Sequence, residues 1–141
     1  MVWPCGGGQA NCTVVISSEE IRSPIVNVPS LAVTMDNDSF DCFSPSVAPN
    51  GLLFINSSLV THTVSRTDIR TIKVNATGMA LEQGEGRMAN MVMLGAVLKL
   101  TRMVSLEAVE TAMKKGFSAK LHSMIPRNME AVRLGYDVVK L

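Results

Sequence analysis

The chain has 141 residues, enough to bury a substantial core in one domain, and its 47% hydrophobic content excludes intrinsic disorder. A net charge of +1 with only 4% aromatic residues gives no electrostatic footprint for nucleic acid, and no apolar run approaches the roughly 20 residues that a membrane span needs. With so few aromatics, Val, Leu, Ile, Ala and ten methionines must build the core.

In chain order, the cluster Gly6-Gly7-Gly8-Gln9 comes first. A phosphate-binding glycine loop opens a helix, whereas this one leads into Ala10–Ser17 (ANCTVVIS), whose β-branched residues predict a strand. Leu31–Met35 is a second short strand. Asp36–Pro49 is polar and proline-containing, predicting a short helix and a loop. Gly51–Asn56 (GLLFIN) has the continuous apolar run of a strand buried on both faces, bounded by turn residues. Thr71–Asn75 alternates as a fourth strand, and the segment after it is predicted to be a glycine-punctuated polar loop.

The C-terminal part is helical. Met88–Thr101 is apolar on almost every side, the pattern of a helix packed in a core or against a partner. Ser105 is the expected cap of a second helix, with Val104 and Val109 as a hydrophobic staple and Gly116 near its end. A last helix is expected from Pro126 to Leu134, stopping at Gly135. Strands first and helices after indicate a layered α/β domain, residues 1–141 forming one unit.

Candidate chemistry is sparse. Ser57, Ser58, His62 and Asp68 are hydrolase-triad residue types, but no nucleophile-elbow pattern frames either serine. His62 and His122 have no partner at metal-ligand spacing. Cys5, Cys12 and Cys42 lack a metal-binding spacing and are expected to be free thiols in a cytoplasmic protein without a signal peptide. Gly84-Glu85-Gly86-Arg87 either offers backbone and a guanidinium to an anion or is a solvated loop. Asn90 shares a helix face with Leu94 and Val97, opposite Lys99, so it is expected to be buried. It then either ties down a loop or faces a subunit or ligand.

The blocks GGQANCTVVISSEEIRSP, GLLFINSSLV, NATGMALEQGEGRMANMVMLGAVLKLTRMVSLEAVETAM and NMEAVRLGYD, in this order, resemble the gamma subunit of 2-oxoacid:ferredoxin oxidoreductases. RMANMVMLGA followed by VSLEAV carries most of the specificity, and the 2-oxoglutarate type is the most similar. The resemblance implies a Rossmann-like αβα domain. It also implies a place in a complex that converts a 2-oxoacid and coenzyme A to acyl-CoA and carbon dioxide, passing two electrons to ferredoxin.

Thiamine diphosphate, magnesium and [4Fe–4S] clusters are implied for partner subunits, one thiamine-binding and one ferredoxin-like. Three unclustered cysteines cannot supply the four thiolates of such a cluster. The family's first strand–loop–helix, with its glycine-rich loop, has no counterpart here. Its loss is expected to expose a sheet edge and one face of the core helices. Either the chain is then a fragment or shortened product, or the gap is filled by a partner or by dimerisation, giving a homo-oligomer when the chain is isolated. The implied role is accessory and non-catalytic. Gly7, Gly8, Ser23, Pro24, Asn56, Arg87 and Asn90 are the residues expected at turns and at a subunit or coenzyme A surface. A pyruvate or branched-chain enzyme, a stand-alone binding module and an independent nucleotide-binding enzyme are the other readings.

Overall fold

A computed structural model describes residues 10–141. Its centre is strand β2 (Leu52–Asn56), flanked by the parallel strands β1 (Leu31–Thr34) and β3 (Arg70–Val74) in the order β1-β2-β3. Val33 pairs with Phe54, and Phe54 with Ile72. The uninterrupted apolar run of β2 is what a strand covered on both faces requires. Leu53 and Ile55 point to one face, where they pack with Phe40, Val47 and Val60. Phe54 points to the other, where helices close over it. Each of these buried side chains contributes about 1.5–3 kcal/mol of apolar burial.

Helix α1 (Asn37–Phe43) covers the first face. Asp36 caps it through the Ser39 N–H, and the Ser39 side chain returns to the Asp36 N–H, a reciprocal capping box. The second face is closed by α2 (Ala76–Glu82), α3 (Ala89–Thr101) and α5 (Ile125–Val138). Helix α4 (Leu106–Gly116) lies outside them, burying Met113 against Leu98, Ile125, Met129 and Val132. The result is the expected layered α/β arrangement with an all-parallel sheet.

Four expectations change. Ala10–Ser17 forms no strand, and Val14 and Ile16 are exposed: β propensity yields a strand only where the segment pairs with an edge, and this one pairs with none among the described residues. The expected loop after β3 contains α2, whose central Gly78 the sequence pattern treated as a breaker. Asn90 is exposed: of the face it shares with Leu94 and Val97, only Val97 is buried and Leu94 is half-buried, so that face leaves the core toward the start of α3, where Ala89 and Val92 point inward instead. The last helix runs through Gly135 to Val138, since that glycine serves the crossing with α3 and not a C-terminal cap.

The Ser105 cap is as expected, its Oγ accepting from the Ala108 N–H at 3.1 Å. Of the proposed staple, Val109 packs with the helical cluster while Val104 stays largely exposed.

Candidate functional site

In open parallel sheets, ligands collect beyond the carboxyl ends of the strands. Here that edge is taken up by internal hydrogen bonds. Asn56, the last residue of β2, is fully buried. Its Nδ2 donates to the Met35 carbonyl at 3.1 Å and to Thr77 Oγ1 at 2.9 Å, and its Oδ1 accepts from the Thr77 N–H at 3.3 Å. One side chain thus ties the end of β1 and the start of α2 to β2. Beside it, Ser58 Oγ meets Asn75 Oδ1 and accepts from the Gly78 N–H at 3.0 Å. A Cβ on Gly78 would strike the Asn75 amide, which accounts for a glycine inside a short helix.

The loop between β2 and β3 is held at two further points. Asn37 Oδ1 accepts from the backbone N–H of Thr61 at 2.9 Å and of His62 at 3.3 Å, and His62 Nδ1 lies 2.8 Å from Asp41 Oδ1. The His62 ring also meets Phe40 edge-on. Further along, Arg66 forms a two-pronged pair with Asp68 at 2.9 and 2.6 Å and donates to the Ser44, Pro45 and Val47 carbonyls. The hydrogen bonds from Arg66 hold the Asp68 carboxyl below the usual carboxylate range.

The triad residue types are therefore not assembled. Asp68 belongs to Arg66, His62 to Asp41 and Ser58 to Asn75. Nor do three or more His, Cys, Asp or Glu side chains converge to hold a metal among the described residues. Cys12 is an exposed free thiol, but Cys42 is disulfide-bonded, so the expectation of three free thiols fails there. Linear spacing does not reveal which Cβ atoms the fold brings close. No helix among the described residues is long and apolar enough to cross a membrane.

A different surface carries the remaining candidates. After α2 the chain turns at Gly84, whose φ of +81° suits a glycine, and passes through a 3-10 turn over Gly86–Met88 into α3. Arg87 and Asn90 both face solvent from this turn, and Arg87 makes no ion pair among the described residues. Asn90 Oδ1 accepts from the Met91 N–H at 2.9 Å. Next to the turn lies a cleft of about 350 Å³ between α2, α3 and α5. Met88, Val92 and Leu134 line it together with the acidic Glu85, Glu130 and Asp137 and the basic Arg127 and Arg133. Glu85 and Arg127 approach to 3.8 Å across it.

Of the residues singled out from sequence, Gly7 and Gly8 lie outside the described residues. Ser23 and Pro24 are exposed in irregular chain, with Ser23 Oγ accepting from the Ile25 N–H at 3.2 Å. They are not brought together with Asn56, which is internal. Only Arg87 and Asn90 share a surface. Asn37, Asp41 and Arg66 escaped sequence reasoning because their partners lie about 20 or more positions away. Arg66 carried a faint local signal in its spacing from Asp68.

The sequence of residues 6–138 matches the family model described as pyruvate ferredoxin/flavodoxin oxidoreductase. The 2-oxoglutarate synthase subunit KorC of Methanocaldococcus jannaschii is 32% identical over 95% of this chain and 71% of its own length. The ketoisovalerate oxidoreductase subunit VorA of Methanothermobacter thermautotrophicus is 33% identical over 93% of this chain, which spans only 27% of that relative. In three dimensions, the gamma subunit of a keto/oxoacid ferredoxin oxidoreductase from Geobacter sulfurreducens superposes with a TM-score of 0.65 at 27% identity. That match covers 77% of this chain and 62% of the other. With an all-parallel α/β core, helices on both faces and a match along almost its whole length, the chain belongs to the pyruvate ferredoxin/flavodoxin oxidoreductase family.

Proposed function

We propose that this chain works as the accessory, non-catalytic gamma subunit of a 2-oxoglutarate:ferredoxin oxidoreductase. The complex converts the 2-oxoacid, coenzyme A and oxidised ferredoxin to acyl-CoA, carbon dioxide and reduced ferredoxin. The observation that carries this reading is a contrast within the chain. The polar side chains at the carboxyl edge of the sheet are engaged by one another, while the Gly84–Asn90 turn leaves Arg87 and Asn90 exposed beside a cleft lined by apolar side chains and charges of both signs. Such a surface can meet another chain or the anionic end of coenzyme A, and it has no nucleophile–base pair with which to break bonds.

Thiamine diphosphate with magnesium and the [4Fe–4S] clusters then sit on the thiamine-binding and ferredoxin-like partners, and ferredoxin is the acceptor. Similarity to KorC favours 2-oxoglutarate as substrate. A branched-chain or pyruvate enzyme is the second reading, supported by the equal similarity to VorA and by the family description.

The test compares 2-oxoglutarate, pyruvate and 2-oxoisovalerate as reductants of ferredoxin, using catalytic subunits co-expressed with and without this chain. The reading expects 2-oxoglutarate to be preferred and the rate to fall when the chain is omitted. An unchanged rate and an unchanged assembly without it would remove the accessory role.

A further inference from the structure

Helix α5 carries its charges in an order that its own dipole opposes. A helix is stabilised by acidic side chains in its first turn and basic ones in its last. Helix α5 has Arg127 in the first turn and Asp137 in the last, with no acid in the first and no base in the last. Helix α4 follows the rule, with Glu107 in its first turn and Lys114 and Lys115 in its last. Its Glu110 and Lys114 also pair along the helix at 3.0 Å.

The outer face of α5 continues the unusual order. Arg127, Glu130, Arg133 and Asp137 are all exposed, while Met129, Ala131, Val132 and Gly135 are buried on the inner side. Glu130 and Arg133, and Arg133 and Asp137, stand at the spacings that pair along a helix. Neither pair forms, and none of the three makes an ion pair among the described residues. Arg127 approaches Glu85 only to 3.8 Å across the cleft. The half-buried Met88 and Leu134 line the cleft among these charges.

Read forward, this face is positive, negative, positive, negative; read backward, every sign is reversed. Two copies laid antiparallel therefore set Arg127 of each against Asp137 of the other, and Glu130 against Arg133. The same arrangement corrects both disfavoured ends. Arg127 meets the carboxyl-terminal, negative end of the other α5, and Asp137 meets its positive amino-terminal end. A parallel arrangement would set like charge against like. We infer that the Arg127–Asp137 face of α5 is a two-fold interface on which a second copy of this chain packs its own α5 antiparallel. Such an interface is self-complementary, each contact occurring twice, and Leu134 lies within one helical turn of the axis.

Light scattering on the full chain across a concentration series, at low and high salt, tests this without any other subunit. The expected mass is that of two chains, falling toward one as salt screens the exposed pairs. Glu130→Arg and Arg133→Glu should each raise the dimer dissociation constant about tenfold or more, because symmetry makes each swap set like charges together twice. The double variant restores opposite charges in the same register and should return the constant to within about threefold of wild type. Circular dichroism checks that the variants, altered only at exposed positions, stay folded. Should a swap disturb the fold, Arg127→Asp, Asp137→Arg and their double repeat the test at the outer pair.

A chain that stays monomeric up to about 1 mM in low salt overturns the inference. So does a dimer that ignores the single swaps, or one that the double swap fails to restore.

Discussion

Gly95 of α3 and Gly135 of α5 are each other's counterparts across the helix crossing. A Cβ on Gly95 would overlap the Val132 carbonyl, and one on Gly135 would overlap the Val92 carbonyl. The two backbones therefore touch where side chains would otherwise hold them apart, and Val92, Ala96 and Val132 are buried around the contact. Gly95→Ala and Gly135→Ala should each destabilise the fold by about 1–3 kcal/mol, the cost of overpacking a filled interface. Because the residues share one contact, the double variant should lose less than the sum. Urea denaturation of the four proteins measures this, and two near-neutral single variants would contradict the crossing geometry.

Gly84 and Gly116 make the opposite comparison, since neither has an atom near its missing Cβ. Gly84 has a φ of +81°, so Gly84→Ala should cost about 1 kcal/mol through strain alone. Gly116 ends α4 without a positive φ, so Gly116→Ala should stabilise by about 0.4–1 kcal/mol. Thermal melts of the two variants should move in opposite directions.

How much of this was legible in the sequence depends on the distance over which a signal acts. The Ser105 cap and strand β2 could be read because each is specified by a few neighbouring residues. The role of Gly135 could not, since nothing local distinguishes a glycine that ends a helix from one that admits a partner. Asn56 was recognisable as the residue closing a strand. Its three hydrogen bonds reach Met35 and Thr77, and only the fold brings these together. Thr13–Ile16 shows the converse, a strong strand pattern whose partner the described chain does not supply.

Asn56→Leu removes the donor to the Met35 carbonyl and the acceptor for the Thr77 N–H while keeping bulk. Leaving these groups unsatisfied should cost roughly 2–4 kcal/mol. Thr77→Val, which removes only the hydroxyl partner, should cost about 1 kcal/mol. A ranking with Thr77→Val as the more damaging change, read from denaturant midpoints, would show that Asn56 is not the centre of the knot.

The Arg66–Asp68 pair predicts an acid-limb effect of defined sign. Arg66 lowers the Asp68 pKa in the folded chain, so the carboxylate stabilises the fold above its unfolded pKa of about 3.9. That contribution is lost as pH falls through the lower folded value. Melting temperatures of wild type and Asp68→Asn should therefore differ at neutral pH, begin to converge as pH falls below about 3.9 and meet only below the lowered folded value. A gap that stays constant on acidification would show that the ionised carboxylate is not what matters.

On the function proposed above, this chain acts through other subunits, by way of the turn bearing Arg87 and Asn90. Co-purification of the tagged full chain with co-expressed thiamine-binding and ferredoxin-like subunits tests it most directly, with Arg87→Glu alongside. The wild-type chain should carry both subunits through the column in fixed stoichiometry. Arg87 is exposed and makes no ion pair among the described residues, so Arg87→Glu should weaken that association while leaving the melting temperature unchanged. A wild-type chain that elutes alone would contradict the central claim.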